Sequence, residues 1–121
     1  MLENRFKESP FIDGIIVLGE NQKYAAALIV PDFAYLRSWS AEKGIAYTTD
    51  EEMIKNEEVK KQYQKEIKHY NKFFGNTEQI HSYELIGHEW TMESGELTAS
   101  LKLKRAYILE KYQEEVRKLF K

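Results

Sequence analysis

Two stretches of the chain are apolar without interruption. Gly14-Ile15-Ile16-Val17-Leu18-Gly19 and Tyr24-Ala25-Ala26-Ala27-Leu28-Ile29-Val30 show no alternation, the pattern of strands covered on both faces. Only Glu20-Asn21-Gln22-Lys23 lies between them, so the pair reads as an antiparallel hairpin with a short polar turn. A third, less buried strand is expected over residues 79–86, where Tyr83 and Leu85 alternate with polar positions. The remaining apolar residues recur at helical spacing. Leu2 and Phe6 fit the last turns of a helix closed by Pro10. Phe33, Leu36 and Trp39 form a second stripe, begun by an Asp32 cap after Pro31 and stopped at Gly44. Trp39 at that spacing reads as core packing rather than a ligand contact. Thr49-Asp50-Glu51-Glu52 has capping-box spacing and should open a short helix through Met53 and Ile54.

Val59, Tyr63, Ile67, Tyr70 and Phe74 then follow at intervals of three or four, predicting a long helix that ends at Gly75. Its lysines alternate with Glu57, Glu58 and Glu66, which favours a helix covering a sheet over one lying on a membrane surface. A final amphipathic helix is predicted from Ala106, Leu109, Tyr112, Val116, Leu119 and Phe120, with Trp90 and Met92 packing the approach to the loop before it. Together these elements predict an α/β (α+β) fold, a small three-stranded sheet with an N-terminal antiparallel hairpin, covered by helices.

Composition narrows the functions available. A 42% hydrophobic share with 13% aromatics supports one packed core, and the length leaves no room for a second. The 18 basic and 20 acidic residues leave a net charge of −2, so there is no general field for nucleic acid, and anion recognition has to be local. The absence of cysteine excludes disulfides and thiolate chemistry and fits a cytoplasmic location. No apolar run approaches the ~20 residues of a transmembrane helix. His69, His81 and His88 make no i, i+3 or i, i+4 pair, so no metal site is expected.

The chemistry concentrates in Gly95-Glu96-Leu97-Thr98-Ala99-Ser100-Leu101-Lys102-Leu103-Lys104-Arg105. Hydroxyls at Thr98 and Ser100 precede three cations within four positions, where a glycine-led loop passes into a helical pattern. Such a junction suits a phosphate or a carboxylate. The competing interpretation is a surface loop with a solvated basic turn.

Three segments carry a family resemblance: Glu8-Ser9-Pro10-Phe11-Ile12-Asp13, Ala27-Leu28-Ile29-Val30-Pro31-Asp32-Phe33, and Glu89-Trp90-Thr91 running into the loop just described. In order and spacing the chain resembles the C-terminal domain of AMP-forming acyl-CoA synthetases, the adenylate-forming family that includes acetyl-CoA synthetase and luciferase, and most of all its long-chain fatty-acid branch. The family's serine-glycine-lysine motif, followed three residues later by arginine, aligns its catalytic lysine with Lys102 and its arginine with Arg105. Thr98, Ser100 and Arg105 are then candidate cofactor contacts. Long-chain members usually have proline where this chain has Ala99, which implies a less rigid loop here.

The resemblance implies that residues 1–121 are a single C-terminal lid domain of a long-chain fatty acid–CoA ligase. It further implies a large N-terminal adenylation domain, joined through a hinge loop, that binds ATP with Mg2+, the fatty acid and coenzyme A. The lid would supply Lys102 for acyl-adenylate formation and then rotate for thioester formation. The isolated fragment is expected to be inactive and to hold no cofactor tightly, since its 6 glycines form no phosphate-cradling run. The complete enzyme is expected to be cytoplasmic, at most peripheral to a membrane. Two alternatives stay open at this point. One is a non-catalytic binding or regulatory module of the same fold. The other is a small RNA-binding domain, which the acidic balance and the lack of an exposed aromatic platform disfavour.

Overall fold

The second apolar run becomes the centre of the sheet. In the computed structural model, which describes residues 5–19, 24–75 and 79–120, strand β1 spans Ile12–Leu18 and strand β2 Ala25–Pro31. Strand β3 spans Ile80–Leu85, giving the order β1-β2-β3. Every residue of β2 is buried, so both its faces are covered. The first run differs. β1 is an edge strand with Asp13 exposed and Gly14, Val17 and Leu18 only partly covered, because its apolar residues have a neighbouring strand on one side alone. The polar turn expected at Glu20-Asn21-Gln22-Lys23, like Leu2, lies outside the described residues, while Arg5 and Phe6 are helical and Phe6 is fully buried.

β1 and β2 pair antiparallel, with Gly14 opposite Val30 and Leu18 opposite Ala26. β3 runs parallel to β2, with Ala26 opposite Ser82 and Ile29 opposite Leu85. A parallel neighbour needs a crossover, and the helices between β2 and β3 supply it. Helix α1, Phe33–Lys43, starts where the Asp32 carboxylate accepts the Tyr35 amide at 3.1 Å and ends at Gly44, whose φ of 71° is left-handed. Helix α2, Asp50–Met53, begins with the Thr49 hydroxyl accepting from the Glu52 amide. Helix α3, Glu57–Asn71, is capped by Asn56 and buries Val59, Tyr63 and Ile67.

Four expectations are corrected in the helices and the segment before the last of them. α3 stops at Asn71, ahead of Gly75, because the Asn71 side chain pairs both backbone groups of Ile80, at 2.9 and 3.0 Å. Gln79 also donates to the carbonyls of Asn71 and Phe74, so the end of the helix is satisfied without a glycine. The final helix is two pieces, α4 over Arg105–Lys111 and α5 over Gln113–Leu119. They meet at Tyr112, whose φ of −106° and ψ of 28° leave the helical region. Ile108, not Ala106, is the buried residue of α4. Met92, expected to pack, is 49% exposed, whereas Trp90 is buried.

The core runs from the segment before β1 through the sheet to the C-terminal helices. Phe11 meets Tyr35, Trp39 and Tyr63 edge-on with ring centroids 4.9 to 5.7 Å apart, a favourable geometry for aromatic rings. Trp39 is half-buried there, in agreement with core packing. The Tyr63 hydroxyl donates to the Phe11 carbonyl at 2.7 Å. On the other side, the Leu119 carbonyl accepts from Tyr24 and Ser82, at 2.7 and 2.9 Å. That fastens α5 to the start of β2 and the middle of β3.

Candidate functional site

The cationic loop is a closed hairpin rather than an open junction. Leu97 and Leu103 form an antiparallel bridge, and the Thr98 amide donates to the Lys102 carbonyl at 2.9 Å. The Leu101 amide closes the turn onto the Thr98 carbonyl at 2.8 Å. Ala99, Ser100 and Leu101 are therefore a three-residue loop, whose usual form is a turn followed by one left-handed residue. That residue is Leu101, with a φ of 63°, where a non-glycine side chain costs roughly 1 kcal/mol. The Thr98 hydroxyl offsets part of this cost by accepting the Lys102 amide at 3.1 Å, and it lies 3.0 Å from the Ser100 hydroxyl.

Lys102 follows the left-handed residue directly and is exposed. Among the described residues its ammonium has no hydrogen-bond or ion-pair partner. The hairpin thus presents a cation outward on a backbone fixed by four hydrogen bonds, counting that of its base. Arg105, in line with the same loop, turns back: its guanidinium donates to the Val17 carbonyl at 2.6 Å and ties the start of α4 to the edge of β1. Thr98 and Ser100 stand together at the loop, so the structure brings Thr98, Ser100 and Lys102 to one tip and directs Arg105 toward the sheet. Under the hairpin is a cleft of about 320 Å³, lined by Leu97, Leu101, Leu103, Trp90, Gly14 and Val30 among others.

The base of the hairpin holds a group that the sequence did not single out for any role. Glu96 is fully buried. Its carbonyl accepts the Lys104 amide at 2.8 Å, which makes it the last rung of the hairpin. Its carboxylate accepts from the Lys111 ammonium at 2.7 Å, from the Tyr112 hydroxyl at 2.8 Å and from the Ser94 hydroxyl. Burial alone pushes the Glu96 pKa upward, but the bonds from Lys111, Ser94 and Tyr112 outweigh it and hold the carboxyl at about 2. Burial, followed by the Glu96 carboxylate, raises the Tyr112 phenol in turn.

The cluster continues outward from Tyr112. Its hydroxyl accepts from the Trp90 indole at 3.3 Å and lies 2.8 Å from His88 Nε2, while His88 Nδ1 lies 3.0 Å from the Glu89 carbonyl. The turn that delivers Glu96 is itself closed by Thr91 and Ser94, each hydroxyl accepting the other's amide. Gly95 completes it at a φ of 95°, a backbone conformation in which a side chain is strained, and the Tyr107 ring lies 2.9 Å from where a Cβ would stand. In sequence Glu96 looks like any surface acid.

No group of three or more His, Cys, Asp or Glu side chains among the described residues is placed to hold a metal ion. No helix among them is long and apolar enough to cross a membrane.

The family model described as AMP-binding enzyme C-terminal domain matches residues 1–121. Long chain acyl-CoA synthetase 8 of Arabidopsis thaliana is 29% identical over 126 residues, covering 98% of this chain and 17% of that protein. Long-chain-fatty-acid–CoA ligase 1 of Homo sapiens is 27% identical over 122 residues, with 98% and 17% covered. The chain therefore spans about a sixth of the length of these relatives. Among solved structures, the adenylation domain of the carboxylate reductase from Mycobacterium chelonae superposes with a TM-score of 0.74 at 23% identity, covering 98% of this chain and 17% of that one. The A-PCP didomain of carboxylic acid reductase from Segniliparus rugosus, in complex with AMP, gives 0.70 at 21%, with 93% and 14% covered. At those identities the structural likeness shows a shared fold.

Proposed function

The chain belongs to the AMP-binding enzyme C-terminal domain family, and from that premise we propose that it is the mobile C-terminal domain of an ATP-dependent long-chain fatty acid–CoA ligase, with Lys102 as its catalytic residue. The observation that carries the proposal is Lys102 itself, an exposed ammonium at the tip of a closed hairpin, without a partner among the described residues. The long-chain relatives aligned over almost all of this chain support the choice of substrate class.

In this reaction a fatty-acid carboxylate attacks the α-phosphorus of ATP, pyrophosphate leaves, and the thiol of coenzyme A then displaces AMP from the acyl-adenylate. The first half brings one anion against another. An ammonium between the acid oxygens and the α-phosphate offsets that repulsion and gains most as charge redistributes in the transition state. At ~4 Å and an effective dielectric of ~20, one such interaction is worth on the order of 4 kcal/mol before desolvation. That corresponds to a few powers of ten in rate. Lysine suits the task because its compact charge sits on a flexible stem able to reach into a cleft on another domain.

Among the described residues no group of three or more His, Cys, Asp or Glu side chains is placed to hold Mg2+. In this proposal the metal, the triphosphate and the acyl chain are held by a larger adenylation domain, and this domain swings to present Lys102 and then to withdraw it. Thr98 and Ser100 stand on the same hairpin as Lys102, their hydroxyls 3.0 Å apart, as candidate phosphate contacts, and the Arg105 bond to the Val17 carbonyl fixes the start of α4.

The test is Lys102→Ala in the full-length protein that carries this domain. Adenylation, followed as pyrophosphate release, should slow by several powers of ten with little change in fatty-acid or coenzyme A affinity. Synthetic acyl-adenylate plus coenzyme A should still yield the thioester at close to the wild-type rate. Equal losses in both halves would show that Lys102 supports folding or docking instead.

A further inference from the structure

We propose that Glu96 is the positioning residue for Lys102, a buried carboxylate that fixes the base of the hairpin and so sets where the ammonium stands during adenylation. The inference rests on the role given to Lys102 above.

Two independent attachments meet in this one residue. Through its backbone Glu96 forms the last rung of the hairpin, the Lys104 amide bonding its carbonyl at 2.8 Å. Through its side chain it is gripped by donors from three directions, Ser94 in the preceding turn, Lys111 at the end of α4 and Tyr112 at the α4–α5 junction. A fully buried carboxylate is tolerated only with such partners, so its position is specified more sharply than that of an apolar residue filling the same space. Lys111 also holds the Ser94 carbonyl at 3.2 Å, which couples the turn before Glu96 to the helix after the hairpin. Any displacement of Glu96 is carried into Leu97 and Lys104, the two ends of the loop that bears Lys102.

A charged anchor has a use here that bulk stability alone does not give. The hairpin contains an unfavourable backbone position at Leu101 and its tip is exposed, so its own hydrogen bonds fix its shape while the base fixes where it stands on the domain. Misplacing a catalytic group by ~1 Å costs on the order of 100-fold in rate. Glu96 touches neither substrate nor cofactor and acts only through where Lys102 is held.

The experiment uses the full-length protein and four variants, Glu96→Gln, Tyr112→Phe, Lys102→Ala and the Glu96→Gln/Lys102→Ala double. Glu96→Gln keeps the size and removes the charge. It should slow adenylation about 10- to 100-fold, leave KM for ATP and fatty acid within about twofold, and leave thioester formation from supplied acyl-adenylate intact. Tyr112→Phe, which removes one donor and keeps the ring, should show the same split more weakly, and it carries the test should Glu96→Gln fail to fold. Amide exchange at Thr98 and Lys102 should quicken in both variants. In the Lys102→Ala background, Glu96→Gln should add less than about a twofold loss, because its route to the chemistry is already gone.

Equal losses in the two half-reactions, full additivity with Lys102→Ala, or unchanged adenylation in variants whose loop amides exchange faster would each overturn the proposal. An unaffected adenylation rate in Lys102→Ala alone would instead overturn the role of Lys102, and that arm is read separately from the Glu96 arms.

Discussion

Replacing Glu96 by glutamine should make the difference in stability between variant and wild type depend on pH in a way that isolates one carboxylate. The folded state holds Glu96 at about 2, against 4.5 for the unfolded chain. A depressed folded value means that the stabilisation is complete above pH 4.5 and is lost as pH falls toward 2. At ~1.36 kcal/mol per tenfold, the full contribution is on the order of 3 kcal/mol, and by linkage about 2 kcal/mol of it is gone at pH 3. Glutamine stands in for the protonated acid, so the gap between wild type and Glu96→Gln should be about 3 kcal/mol at pH 7, flat down to about pH 5, and about 1 kcal/mol at pH 3. Other carboxylates titrate in both proteins and cancel in the difference. Urea unfolding of the 121-residue chain, followed by tryptophan fluorescence at a series of pH values, measures the gap directly, since Trp90 lies in the same cluster. A gap that stays constant from pH 7 to pH 3 would refute the reasoning, because it would mean that Glu96 contributes through shape alone and that its charge is not what the Lys111, Tyr112 and Ser94 bonds stabilise.

Two further substitutions probe the core by the same unfolding assay. Ser40 is fully buried on α1 and its hydroxyl has no partner among the described residues, so Ser40→Ala should stabilise the chain by roughly 1 kcal/mol, from the removed desolvation cost and the better helix propensity of alanine; a loss of stability would mean that the hydroxyl has a partner in solution. Tyr63→Phe removes the 2.7 Å bond to the Phe11 carbonyl, but that carbonyl keeps the Asp32 amide at 2.9 Å, so the cost should stay near 1 kcal/mol, and a cost above about 3 kcal/mol would show that the second bond does not compensate.

What was legible in the sequence is what local physics decides. The unbroken apolar run that became Ala25–Pro31 reads as a strand buried on both sides and is one, and Asp32, Gly44 and Thr49 act at their helix ends as their side chains and backbone freedom dictate. What was not legible depends on partners far apart in sequence. The end of α3 is set by Asn71 bonding Ile80, a contact invisible to periodicity, so Gly75 was the wrong marker. The direction of β3 depends on how the crossover packs. Glu96 carries no local sign of burial, because a buried acid differs from a surface one only through its donors, and those come from residues 94, 111 and 112. The break at Tyr112 is likewise hidden, as it falls on the residue whose hydroxyl that cluster holds.

The place of β2 between a local neighbour and a distant one has a consequence for biosynthesis. β1 ends at Leu18 and β2 begins at Ala25, so this pair can close as soon as both have left the ribosome. The other edge of β2 must wait for β3, and residues 32–79 are made in between. At ~5–20 residues per second that interval lasts roughly 2 to 10 s. Throughout it, Ala25 to Val30 presents an apolar edge with unpaired backbone groups, the kind of template on which another strand can add. The nascent chain is therefore most prone to aggregate between completion of the hairpin and emergence of Ile80, and translational pausing inside the crossover helices would lengthen that exposure.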